Sequence, residues 1–172
     1  MSNLKYIIGK NIVLNVANIN DIDMIMKFQT EVINNMPNKD LFCPLLWREF
    51  QEAIENGLVY LLYDENIFMG LAVLNAKPSL DIIEEYDLKD ISGIGILDSV
   101  MIKKEYRGSK LQQQIVRLLD NQISLFNLRG VVATVHPDNI WSLNNLLECN
   151  YKEINRITIH GGERIILFKK YK

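Results

Sequence analysis

The stretch ILDSVMIKKEYRGSKLQQQ, from Ile96 to Gln114, decides how this chain is read. Ile94 to Ile102 is apolar, with Ile and Val prominent, and is predicted to be a strand. It runs into a basic turn in which Lys103, Lys104, Arg107 and Lys110 stand against Glu105 alone. A long helix is predicted over Ser109 to Phe126, burying Leu111, Ile115, Leu118, Leu119 and Ile123. The first amides of such a helix have no intrahelical acceptor, and the helix dipole makes that end attractive to an anion. Gly108 permits close backbone approach just before it. A phosphate-bearing ligand accounts for this pattern, and so does an ordinary solvated helix cap.

Upstream, residues 11–17 read as a short strand. A helix follows with Ile22, Ile25, Phe28, Val32 and Met36 on one face, Asn20 as its cap and Pro37 beyond its end. Leu46, Trp47, Phe50 and Ile54 predict a second helix, ended by Gly57. LVYLLYDENIFMGLAVLNA, from Leu58 to Ala76, reads as a hairpin turning at Asp64, Glu65 and Asn66. The acidic stretch from Pro78 to Asp90 reads as a short helix or an excursion. Downstream come a strand over residues 131–135, a helix over 140–148 and a hairpin turning at Gly161 and Gly162. This order favours an α/β (α+β) fold: a mixed, largely antiparallel sheet flanked by helices rather than a doubly wound one.

The 172 residues fit one domain with a sizeable core. A formal charge of -2 argues against a nucleic-acid binder. Cys43 and Cys149 have no framework spacing, and no metal-ligand spacing emerges from them or from His136 and His160. With no leader-like or membrane-spanning apolar run, a soluble cytoplasmic protein is expected.

The Arg107 segment resembles the acyl-CoA-binding region of the GNAT N-acetyltransferase superfamily. Its pattern sets Arg or Gln first, Gly three positions later, and Gly or Ala two after that. Arg107 matches, while Lys110 and Gln112 stand at the small-residue positions. Residues 136–154, HPDNIWSLNNLLECNYKEI, resemble the family's Asn-x-x-Ala or Asn-x-x-Ser segment: Asn139, Ser142 and Tyr151 match, and Asn150 replaces a common glycine. The resemblance implies a GNAT-like fold over residues 1–172, acetyl-CoA as acyl donor, and transfer to a primary amine on a small molecule or peptide. It places Val100, Met101 and Ile102 along the pantetheine arm through their backbone. Arg107, Gly108, Ser109, Lys110, Leu111 and Gln112 then fall at the pyrophosphate, and Asn139 and Ser142 on the opposite wall. Lys110 and Gln112, as helical residues, are expected to need no positive backbone dihedral, leaving their amides directed at phosphate.

The family's frequent tyrosine acid falls on Leu146, which cannot donate a proton, and Tyr151 takes the aromatic packing position. Asp98, two positions before Val100, is the candidate catalytic base, and it needs a raised pKa or a water relay for that work. The acidic excursion, if it lies near the acceptor entrance, favours cationic amines. A catalytically weak acyl-CoA-binding module and a protein-interaction scaffold stand as alternatives. A homodimer and a monomer are both compatible with the sequence, and neither a nucleic acid nor a membrane is expected as partner.

Overall fold

The computed structural model describes residues 6–8, 12–79, 84, 86, 88 and 92–171. Eight strands form one sheet: β1 (Tyr6–Ile8), β2 (Ile12–Val16), β3 (Val59–Asp64), β4 (Ile67–Asn75), β5 (Ile94–Ile102), β6 (Gly130–Val135), β7 (Lys152–Ile159) and β8 (Gly162–Lys170). Their order is β1-β2-β3-β4-β5-β6-β8-β7. Every neighbouring pair is antiparallel except β5 and β6. A parallel pair needs a crossover, and here a helix supplies it. The mixed, largely antiparallel sheet with flanking helices matches the class expected from the element order.

The helices are α1 (Ile22–Asn34), α2 (Trp47–Glu55), α3 (Leu111–Leu125) and α4 (Ile140–Glu148). On one sheet face Leu14, Tyr60, Leu62 and Leu97 pack with Ile115, Leu119 and Ile123 of α3. On the other, Val59, Leu61, Leu71 and Met101 pack with Ile25 and Phe28 of α1 and Phe50 of α2. Strand β3 is therefore apolar at nearly every position, because successive side chains enter opposite cores. Ile115 is fully buried. Ile115→Ala should cost about 2–5 kcal/mol of stability by denaturant unfolding, the loss typical of a cavity left in a packed core.

Two local expectations need correction. Asn18, not Asn20, is the cap: its side chain accepts from the Asn20 amide at 3.0 Å, while Asp21 accepts from the Asn18 amide at 2.8 Å. This capping box starts a 3-10 turn over Ile19–Asp21, and α1 follows it. In the last hairpin Ile159 pairs with Gly162, so the turn residues are His160 and Gly161, both with positive φ. Gly162 is already in β8. The acidic stretch 81–90 lies mainly outside the described residues. Among the described residues no helix is long and apolar enough to cross a membrane.

Candidate functional site

Strands β5 and β6 pair only from Ile94↔Gly130 to Leu97↔Ala133. Beyond that point β5 stays on β4, β6 stays on β8, and the edges facing each other have no ladder partner. The cause lies in β5. Leu97 faces Leu74 and Ser99 faces Val73, so Asp98 is the extra residue of a β-bulge. A bulge bends its strand and re-aims a side chain. The result is a wedge between the two strands, with Asp98 where it opens.

Asp98 is exposed to solvent at the mouth of the wedge, with protein crowding one side of its carboxyl. That crowding, aided by the Glu49 carboxylate, pushes its pKa up to about 7. Glu49 belongs to the first turn of α2, where it also accepts from the Leu46 amide at 2.6 Å. Beside Asp98, the Ser99 hydroxyl is buried and, among the described residues, has no hydrogen-bond partner. Sequence reasoning gave no reason to single out this serine, because only the bulge makes it unusual.

At the far end of β5, Arg107 Nε donates to the Ile102 carbonyl at 3.1 Å, and Ser109 Oγ donates to the Tyr106 carbonyl at 2.7 Å. The backbone then passes Gly108 at φ +82° and Lys110 at φ +60° before α3 starts at Leu111. A Cβ on Gly108 would meet nothing within 4 Å, so the space above this loop is open. No side chain caps α3, and the Gln114 amide returns to the Lys110 carbonyl at 3.1 Å. The amides of Leu111, Gln112 and Gln113 precede that first helical bond and are orphan donors of the kind that hold phosphate.

The expectation that Lys110 is helical is therefore overturned. It is the N-cap in left-handed conformation, the geometry for which glycine is suited because it has no Cβ to clash. Lys110→Gly should raise stability by about 0.5–1 kcal/mol in denaturant unfolding, as relief of strain exceeds the extra entropy lost. The side chain it removes makes only an exposed contact, 3.9 Å from Glu148.

On the opposite wall, Asn139 caps α4: its Oδ1 accepts from the Ser142 amide at 3.3 Å, and its Nδ2 donates to the Leu41 carbonyl at 3.4 Å. Ser142 Oγ accepts from Gln112 Nε2 at 3.2 Å, and Asn145 Nδ2 donates to Gln112 Oε1 at 2.9 Å. Gln112 thus ties the first turn of α3 to α4 where the family pattern has a small residue. The flanking strand residues divide by face: Val100 and Ile102 lie toward α3, Met101 toward α1 and α2. Leu146 and Tyr151 are buried, and burial followed by Asp120 drives the Tyr151 phenol far above its ordinary range.

A recess of ≈ 240 Å³ opens between the 37–46 loop, the end of β6 and the β7–β8 turn. Phe42, Cys43, Pro44, His136, His160 and Arg164 line it. His136 Nδ1 accepts from the Asp138 amide at 3.1 Å. Arg164, Cys43 and Glu49 were not legible as site residues, since the loops that gather them are distant in sequence.

No protein-family model matches the chain, and no curated protein matches it in sequence. Solved structures do match in shape. A GNAT-family acetyltransferase from Listeria monocytogenes superposes with TM-score 0.78 at 14% identity, covering 97% of this chain and 99% of that one. Another from Streptococcus agalactiae gives 0.74 at 17%, covering 98% and 99%. YncA from Salmonella typhimurium, solved with its cofactor acetyl-CoA, gives 0.69 at 12%, covering 94% of each. The chain has the fold of the GNAT acetyltransferases.

Proposed function

We propose that this protein is an acetyl-CoA-dependent N-acetyltransferase acting on a primary amine, with residues 1–172 working as one cytoplasmic acyltransferase unit. The observation that carries this reading is the wedge between β5 and β6, opened by the bulge at Asp98 and leading to the uncapped N-terminus of α3. An extended arm needs unpaired backbone edges, and Val100 to Ile102 offer them. A pyrophosphate needs clustered amides and open space, and Gly108 to Gln112 offer both. The residues present therefore fit acetyl-CoA. Asn139 and Ser142 stand on the far wall, their polar atoms already shared with α4 and Gln112.

Bound acetyl-CoA supplies an activated acetyl thioester. The chain's part is to hold the amine against it, which accelerates the reaction through proximity and orientation. The neutral amine's nitrogen forms the new bond to the acetyl carbon, the carbon–sulfur bond breaks, and Asp98, directly or through one water, accepts the proton that the acylated nitrogen sheds. A pKa near 7 suits this role better than an ordinary carboxylate does. An unpaired backbone amide along the β5 edge donates to the carbonyl oxygen as it gains charge. The sulfur leaves as thiolate, needing little help because thiols have pKa values near 8.5. The donorless Leu146 position is consistent with that.

The Gln112–Ser142–Asn145 link favours a second reading, a site narrowed enough to bind acetyl-CoA weakly. Gln112→Ala should then tighten acetyl-CoA binding several-fold by calorimetric titration. The primary reading is tested by mixing the protein with acetyl-CoA and a panel of amines and following released thiol. Amine-dependent release supports it, and acetyl-CoA binding without release from any amine contradicts it.

A further inference from the structure

We propose that the recess lined by Arg164 takes the carboxylate of a small amino-acid-like acceptor, with its amine directed into the wedge. This rests on the acetyltransferase reading and names the acceptor's chemical class.

Arg164 is 5% exposed, yet among the described residues no carboxylate oxygen lies within ion-pairing distance of it. Its partners are backbone carbonyls: Nη1 donates to Glu163 at 2.9 Å, and Nη2 donates to Asp40 at 3.1 Å and His160 at 3.5 Å. Those contacts tie the 37–46 loop to the β7–β8 turn, which is a structural job. They do not neutralise the charge. Burying an unpaired cation is costly, and an arriving anion recovers that cost. A guanidinium has five N–H donors, so Nε–H and one Nη1–H remain for a ligand.

The neighbouring carboxylate of Glu163 is turned to Arg156 at 3.5 Å rather than to Arg164. Beside Arg164 the lining carries Lys39 against Asp40 as its acidic member. The buried, unpaired guanidinium is the charge there that an incoming anion would meet. The size of the recess suits a small molecule rather than a drug-sized one. Its position supplies the geometry. Arg164 shares a sheet face with Ile166, which packs against Ile96 across β6, and the bulge continues that face to Asp98. Cys43, on the recess wall, is raised above its ordinary pKa by burial first, with Arg164 opposing and Glu49 and then Asp98 adding to the rise, so this wall lies within reach of all three charges. An amino acid anchored at Arg164 therefore presents its amine toward the base.

The test compares each common L-amino acid with its own carboxamide, in which the carboxylate is neutralised, using acetyl-CoA and the full chain. At least one amino acid should react with kcat/KM 10-fold or more above its amide. Arg164→Gln should raise KM for that amino acid roughly 10–100-fold with a smaller change in kcat, leaving the amide little affected. Arg164→Lys should restore part of the preference, and it carries the test if the Gln variant does not fold. Equal or faster reaction of amides or plain diamines overturns the proposal, as does no reaction of any amino acid by a protein that binds acetyl-CoA. If acetyl-CoA does not bind, the acetyltransferase reading fails, and calorimetric titration with the amino acids alone decides the recess. Arg164-dependent binding upholds it, and its absence overturns it.

Discussion

Asp98→Asn should lower kcat by about 10²-fold or more, the loss expected when a positioned base is replaced by an isosteric group that cannot accept a proton. Wild-type kcat should rise with pH through about 7, the value to which crowding and Glu49 push the carboxyl, and the variant should lose that limb. The charge that acts on the Asp98 carboxyl is the Glu49 carboxylate from α2. Glu49→Gln should therefore move the limb to lower pH, because it removes a repulsion that favours the protonated form. Stability should move the opposite way to activity. The folded carboxyl titrates above its ordinary 3.8, so between about pH 4 and 7 the folded chain holds more protons than the unfolded one. Stability from this group is present below that window and is lost as pH rises through it. Asp98→Asn should accordingly raise Tm more at pH 8 than at pH 5. A variant that loses activity and gains neutral-pH stability separates a functional carboxylate from a structural one.

Ser109→Asp should weaken acetyl-CoA binding roughly 10–100-fold, since a carboxylate a few ångströms from a phosphate near a protein surface costs about 1–4 kcal/mol. The same change should leave the fold intact. Ser109 is exposed, its hydroxyl bonds only to the nearby Tyr106 carbonyl, and acidic groups favour a helix N-terminus. Calorimetric titration gives the affinity and a thermal melt gives the control. Unchanged affinity with an unchanged melt would place the phosphates elsewhere.

The scaffold was largely legible because its signals are local. Leu111, Ile115, Leu119 and Ile123 recur at helical spacing and form the buried face of α3. The apolar run of β5 was bounded correctly from Ile94 to Ile102. The uncapped amides at the start of α3 followed from the strand-to-helix boundary. What escaped depends on pairing between distant segments. Nothing in residues 96–102 announces that Asp98 is left over when β5 aligns with β4, or that burial and Glu49 raise its carboxyl's pKa. Lys110 was misread because a lysine rarely accepts a positive φ, so composition argued for helix where the turn required a cap. Arg164 sits in an ordinary-looking strand, and only the return of the 37–46 loop and the β7–β8 turn makes it a buried cation.

If acetyl-CoA lies in the wedge with its phosphates on the first amides of α3, the backbone amides there should respond to it. In a titration of nitrogen-15-labelled protein with acetyl-CoA, saturable resonance shifts are expected at Val100 and Ile102 and at Gly108 through Gln112. Saturating acetyl-CoA that leaves those amides unmoved, or moves only amides on another face, would contradict that placement.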